Sequence, residues 1–244
     1  MAKNNIQAIL FDKDGTLLDF NRTWLPPYRA AANCIAAKSS GRFSADDILA
    51  HGGFITDSQS WKPDSVLAAG SNRQILESWN NLLGFCLNQQ ECTEVLQLFK
   101  ISADQYIPIR QSLRRCLEQL KREGYALGIA TMDDERQAHS MARGLGIEDL
   151  FDFICGADSG HGVKPEPGMI NAFATSIGVA TELVAMVGDS PRDIHMGFNA
   201  GAGLSIGVLT GAHNAEELHK HTPHVLADIS ELHAFLEHQA AEFS

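Results

Sequence analysis

The chain has 244 residues, 44% of them hydrophobic and 20% charged, enough apolar material for one substantial core and a smaller appendage in one or two domains. Its formal net charge of −11 excludes the extended basic footprint by which proteins hold nucleic acid or an anionic membrane, so a small anionic ligand would need local cations. No run of about 18 apolar residues occurs, and Met1 to Asn5 bring no signal-peptide-like apolar region, so a cytoplasmic location is expected.

In chain order, the first predicted element is a short apolar run, Ile6 to Phe11, that ends in acidic residues. The same form recurs at Ala126 to Ala130, Phe151 to Cys155, Val184 to Val187 and Leu204 to Val208, and all five read as buried strands. Helical spacing separates them: Leu113, Cys116, Leu117 and Leu120 before Gly124; Ala138, Met141, Ala142 and Leu145; then Met169, Ile170, Phe173, Ala174 and Ile177 before Gly178. Strand alternating with helix implies an α/β core, a Rossmann-like doubly wound parallel sheet whose ligands sit beyond the carboxyl ends of the strands.

Residues 20–107 interrupt this alternation with helical spacing alone. Helices are expected over Pro27 to Lys38, Ala45 to Ala50, Asn72 to Leu83 and Gln89 to Phe99, broken at Gly41, Gly52-Gly53 and Gly70. Between Phe20 and Gln105 seven Lys or Arg nearly balance eight Asp or Glu, so almost all of the net charge lies elsewhere. The segment reads as an all-α domain inserted after the first strand, leaving 1–19 and 108–244 as the α/β core. The five cysteines (Cys34, Cys86, Cys92, Cys116, Cys155) are scattered without metal-binding spacing, as reduced packing residues would be.

The strand ends carry the chemistry. The first stops at Asp12-Lys13-Asp14-Gly15-Thr16, where extended backbone would put Asp12 and Asp14 on one side and Lys13 on the other. Paired carboxylates repel unless a cation is shared, and a hard, oxygen-liganded ion such as Mg²⁺ suits them. The fourth strand ends Gly188-Asp189-Ser190-Pro191-Arg192-Asp193, giving one carboxylate at the strand end and another a helical turn later. Thr131 follows the second strand, and Lys164-Pro165 follows the third, with Pro165 suited to the first turn of a helix. A hydroxyl, an ammonium and helix N-termini can together grip a phosphate.

These four segments, in this order, resemble the motifs of the haloacid dehalogenase superfamily of aspartate-nucleophile phosphotransferases. The insert falls where that family carries its helical first-type cap, and the whole looks most like the phosphoglycolate phosphatase branch. The resemblance implies a Mg²⁺-dependent phosphatase acting on a small phosphorylated metabolite, as a monomer or homodimer. Asp12 would be the nucleophile that forms a phospho-aspartyl intermediate, and Asp14 the general acid and base. Asp12, the Asp14 carbonyl and Asp189 would hold the metal, Thr131 and Lys164 the transferring phosphoryl oxygens, and Asp193 would orient Lys164 or a metal-bound water. Gly15, Thr16 and Gly188 would serve backbone geometry. A sugar-phosphate mutase of the β-phosphoglucomutase kind would use the same core residues. A dehalogenase would have no need of Asp14, and a non-enzymatic phospho-receiver would show no turnover.

Other features are read as structural. His219 and His221, two residues apart in a histidine-rich C-terminal region, do not share a helix face and read as solvated surface. Asp133, Asp134 and Glu135 favour a helix N-terminus and should point away from phosphate. Lys13 reads as a snorkelling lysine with its head in water. Substrate specificity would come from the insert, through a cation among Arg22, Arg29, Arg42, Lys62 and Arg73 or the polar stretch Asp57 to Lys62, which reads as a loop, with Trp24, Pro26 and Pro27 shaping a hinge.

Overall fold

The computed structural model describes residues 6–100 and 105–242; residues 1–5, read above as the lead into the first strand, lie outside the described residues. The chain divides into two compact units, one of Met1–Asp19 with Tyr106–Ser244 and one of Phe20–Gln105. β1 (Ala8–Phe11) opens the first unit with all four residues buried. The chain then runs through the second unit: α1 (Phe20–Lys38), α2 (Ala45–His51), β2 (Phe54–Ile55), β3 (Ser60–Trp61), α3 (Val66–Ala69), α4 (Asn72–Leu83) and α5 (Gln89–Leu98).

Two details of this second unit depart from the sequence reading. α1 begins at Phe20 and carries Pro26 and Pro27 within it, because Trp24, Tyr28, Ala31, Ala32 and Ile35 recur at helical spacing and bury one face. The prolines lie past the first turn, so each forfeits one intrahelical bond, to Arg22 O and Thr23 O, a loss the buried face outweighs. The unit is also not purely helical, since β2 and β3 form a two-residue antiparallel ladder, Phe54 opposite Trp61 and Ile55 opposite Ser60. The polar stretch read as an open loop thereby delivers Trp61 into an aromatic core, with ring centroids 5.5 Å from Phe20, 5.7 Å from Tyr28 and 4.8 Å from Phe54. Its indole N–H donates to the Asn21 side chain, so Trp61 serves packing. Ser44, Ser71 and Asn88 start α2, α4 and α5 as reciprocal capping boxes, which explains why those helix starts were readable.

The first unit resumes with α6 (Leu113–Arg122), β4 (Ala126–Ala130), α7 (Glu135–Gly144), β5 (Phe153–Cys155), α8 (Gly168–Ile177), β6 (Val184–Gly188), α9 (Pro191–Ala200), β7 (Leu204–Val208), α10 (Ala215–Leu218), β8 (Val225–Leu226) and α11 (Leu232–Glu242). Its six strands pair in the order β5-β4-β1-β6-β7-β8, every neighbour parallel. This is the doubly wound α/β core expected. The two-residue β8 is too short to have shown as a run. β1 lies between β4 and β6, with Ala8 opposite both Ala126 and Val184, so the sheet winds one way from β1 and then the other. That reversal is where a crevice opens at the carboxyl ends of such a sheet. Strands covered on both faces are buried throughout, as β1, β6 and β7 are, with Ser205 of β7 the one hydroxyl among them. No helix among the described residues is long and apolar enough to cross a membrane.

Phe173 on α8 is fully buried against Leu10 of β1, Ala130 of β4 and Met186 of β6, so it supports the strands that carry the site. Phe173→Ala is expected to cost about 3–5 kcal/mol in denaturant unfolding, because a ring-sized void under three strands cannot close. At the other end of the unit, buried Asp228 accepts from the Ser230 N–H at 2.8 Å and pairs with Arg110, which begins the approach to α6. Burial alone would raise the Asp228 pKa, but the bonds from Arg110 and Ser230 win and lower it. The folded state therefore favours the carboxylate, and its stabilisation is present above the ordinary carboxylate pKa and lost as pH falls through the lowered one. Asp228→Ala should destabilise by about 1–2 kcal/mol at pH 7, a deficit relative to the unaltered protein that shrinks in unfolding curves measured below about pH 4.

Candidate active site

Four strand ends of the first unit deliver the residues singled out from the sequence. Asp12 follows β1 directly, and its N–H donates to Val187 O on β6 at 2.8 Å, which fixes it against the neighbouring strand. Asp189 follows β6. Asp193 lies in the first turn of α9, where Ser190 and Asp193 cap each other: the Ser190 hydroxyl donates to Asp193 Oδ2 at 2.6 Å. Thr131 follows β4, bonded through its N–H to Cys155 O on β5 at 3.1 Å. Lys164 follows β5 on a loop held by the Asn199 side-chain amide, which donates to Pro165 O at 2.9 Å.

Lys164 draws this set together. Its ammonium, 2% exposed, bonds Asp12 Oδ1 and lies 2.6 Å from Asp193 Oδ1. Carboxylate oxygens of Asp12, Asp189 and Asp193 all lie within 4.8 Å of one another, the group of three metal-ligating side chains found among the described residues. Burial pushes Asp12 up to about 7; Lys164 opposes, while Asp193 and Asp14 add to the rise. Burial also raises Asp189 well above the usual carboxylate range, with the charges of Asp12 and Asp193 adding. For Lys164 burial works against the charge, yet Asp12 and Asp193 hold its pKa above that of a free lysine. Three carboxylates thus face one ammonium. The excess of two negative charges, borne on hard oxygen donors, fits a divalent cation such as Mg²⁺ and offers no soft ligand that would select another metal.

Two glycines make the cluster sterically possible. Gly15 has φ +81°, and a Cβ there would come within 2.9 Å of the Asp189 carboxyl carbon. At Gly211 a Cβ would lie 1.6 Å from Asp189 Oδ2. The loop after β7 is also tied to the turn after β1, since the Thr210 hydroxyl donates to Gly15 O. Gly211 and Thr210 escaped the sequence reading, although a glycine three residues past a strand end was a usable signal.

Lys13 and Pro165 do not sit as the sequence implied. Lys13 is fully buried, where a snorkelling side chain would reach water. Strand alternation no longer applies to it, because the backbone turns at once: Lys13 O accepts from both Leu17 and Leu18 N–H, at 2.9 and 3.0 Å. Its ammonium lies 2.8 Å from Asp14 Oδ2 and 2.5 Å from Asp133 Oδ2. Asp14 is therefore engaged with Lys13 and stands outside the three-carboxylate group, though near enough to raise the Asp12 pKa. Asp133 points to a lysine and serves more than the helix start it was read as. Pro165 is in no helical first turn: the Lys164-Pro165 peptide is cis, and α8 starts at Gly168 after Pro167. The histidines divide differently as well, His221 Nδ1 lying 2.9 Å from His195 Nε2 on α9. Burial pushes the Cys155 thiol up to about 12, so it stays protonated beside the site.

Residues 6–201 match the family model of the haloacid dehalogenase-like hydrolases. The chain is 24% identical to pyrophosphatase PpaX of Bacillus velezensis, over 95% of this chain and 97% of that one. It is 28% identical to a phosphoglycolate phosphatase of Neisseria meningitidis, over 86% and 83%. A crystal structure of a HAD family hydrolase from Deinococcus radiodurans, with bound phosphate and sodium, superposes with a TM-score of 0.70 at 19% identity, covering 97% of each chain. The chain belongs to the haloacid dehalogenase-like hydrolases.

Proposed function

We propose that the chain hydrolyses a small phosphomonoester, phosphoglycolate being the first candidate, in a Mg²⁺-dependent reaction through a phospho-aspartate on Asp12. The observation that carries this reading is the buried Asp12 carboxylate, held by Lys164 and grouped with Asp189 and Asp193 at the carboxyl ends of β1 and β6. Phosphatase relatives over most of the chain support the reaction class.

Asp12 attacks phosphorus in line, forming an Asp12 O–P bond as the bond to the leaving oxygen breaks. The leaving oxygen keeps the electron pair and takes a proton from Asp14. In the second half, Asp14 accepts a proton from water as that water attacks phosphorus, freeing phosphate and Asp12. Lys164 holds Asp12 and neutralises incoming phosphoryl charge. Thr131 would donate to the same oxygens: its Oγ1 accepts from the Asp133 N–H at 3.1 Å, which leaves its own proton to donate. Asp193, with Ser190 on Oδ2 and Lys164 on Oδ1, fixes the ammonium. Asp12, Asp189 and the Asp14 carbonyl are the groups that would hold Mg²⁺, which when bound supplies charge neutralisation to the phosphoryl oxygens. The unit Phe20–Gln105 is proposed as the cap that selects substrate. Three of its five candidate cations are committed within it: Arg29 to Asp46, Arg42 to Leu83 O and Arg73 to Glu77.

Phosphate release from phosphoglycolate, sugar phosphates, nucleotides and pyrophosphate with Mg²⁺ tests the reading. Asp12→Asn should lose about 10⁴-fold or more in kcat with the fold intact, and retention of metal-dependent hydrolysis would exclude Asp12 as nucleophile. Chelation should abolish turnover and lower the Tm. Mg²⁺ at about 100 times its Kd should restore roughly 2.7 kcal/mol of stability, a gain that Asp189→Asn loses.

A further inference from the structure

Lys13 is the feature of the site that the reaction above leaves unused. We propose that it is a positioning residue for proton transfer, fixing the Asp14 carboxylate and tying it, through Asp133, to the Thr131 hydroxyl. The inference rests on the assignment of Asp14 as acid and base.

A lysine is almost never fully buried unless paired, because its ammonium loses water that only charged partners replace. Lys13 has no exposed surface, whereas the side chains of Asp14 and Asp133 remain 21% and 30% exposed. A cation has been carried to the inner side of two carboxylates that can still meet solvent or substrate. Neutralising Asp133 would take one contact, at 2.5 Å. The second, 2.8 Å to Asp14 Oδ2, reaches the carboxylate two residues past the nucleophile. Holding one named oxygen of Asp14 fixes rotation about its Cβ–Cγ bond, and so sets which oxygen faces the reacting one. The Tyr106 ring, 5.8 Å from the ammonium to its centroid, closes the lysine's surroundings with a cation–π contact.

Asp133 extends the arrangement to the phosphate grip. Its side chain bonds Lys13, its N–H donates to Thr131 Oγ1 at 3.1 Å, and its carbonyl accepts from Ala157 N–H at 2.9 Å. The sequence Thr131, Asp133, Lys13, Asp14 is therefore a chain of contacts from a donor for the transferring oxygens to the group that protonates the leaving oxygen. One frame sets both. A purely packing lysine would need neither the second carboxylate nor a partner whose backbone bonds Thr131.

The test uses the full chain with Mg²⁺ and two probes of nearly equal shape, phenyl phosphate and 4-nitrophenyl phosphate. As the P–O bond breaks, phenolate needs a proton from Asp14 far more than the stabler 4-nitrophenolate does. In single-turnover release of the phenol, which isolates the first half-reaction, Lys13→Met should slow phenyl phosphate about 100-fold and 4-nitrophenyl phosphate less than about 10-fold. In an Asp14→Asn background the same change should add less than about 2-fold, because both act through one group. Should Lys13→Met fail to fold, Asp133→Asn removes the other anchor and should show the same dependence on leaving group at about 10-fold. Equal losses on both probes, or additive losses with Asp14→Asn, would overturn the inference and leave the phosphatase reading standing. Absence of Mg²⁺-dependent release by the unaltered protein would instead sink the phosphatase reading and the inference with it.

Discussion

A single ammonium, that of Lys164, stands between the carboxylates of Asp12 and Asp193, with Asp189 completing the group. These charges do not tolerate each other in a buried site: Asp12 and Asp189 both rise in pKa, and one lysine meets only part of the demand. The same imbalance makes the site useful. A cluster that lacks positive charge would accept a divalent cation, and in the proposed reaction a phosphoryl group would meet a field already arranged for it. The cost is carried by the sheet and helices, which hold the carboxylates together although they repel.

Several structural choices follow from that constraint. β1 is central because its end must lie beside the end of β6, and the Asp12 N–H bond to Val187 O sets the two strand ends level. The loop bearing Lys164 is held by Asn199 near one end of α9, and Asp193 lies at the other, so one helix positions the cation and its partner. Gly15 and Gly211 leave room for Asp189 that any side chain would fill. Thr131 and Lys164, the residues proposed to grip phosphate, come from loops, but loops whose backbones are bonded to strands or helices.

The five main strands were legible because parallel strands buried on both faces are continuous apolar runs, and the candidate site residues were found by looking where those runs stop. Asp12, Lys164 and the pair Asp189 and Asp193 come together from three strand ends, which strand-end logic anticipates. Lys13 was misread for a definite reason. Alternation of side chains belongs to extended backbone, and the backbone leaves that state at residue 13, folding back so that Leu17 and Leu18 donate to Lys13 O. The early start of α1 was hidden by Pro26 and Pro27, which are strong local signals that lose to an apolar stripe running through them. Trp61 looked like part of a polar loop because its aromatic neighbours are distant in sequence and only a tight ladder brings it inward. In each case a long-range contact overrode a local preference.

The central place of β1 also orders the birth of the protein. Ala8 takes as partners Ala126 on one side and Val184 on the other, so this wholly apolar strand is made before either partner and keeps both edges open until β4 follows and one edge open until β6. The unit Phe20–Gln105 is contiguous and has all its partners soon after. The sheet must wait for β6, the strand that delivers Asp189, and a nascent chain stopped short of it would expose an aggregation-prone edge beside Asp12.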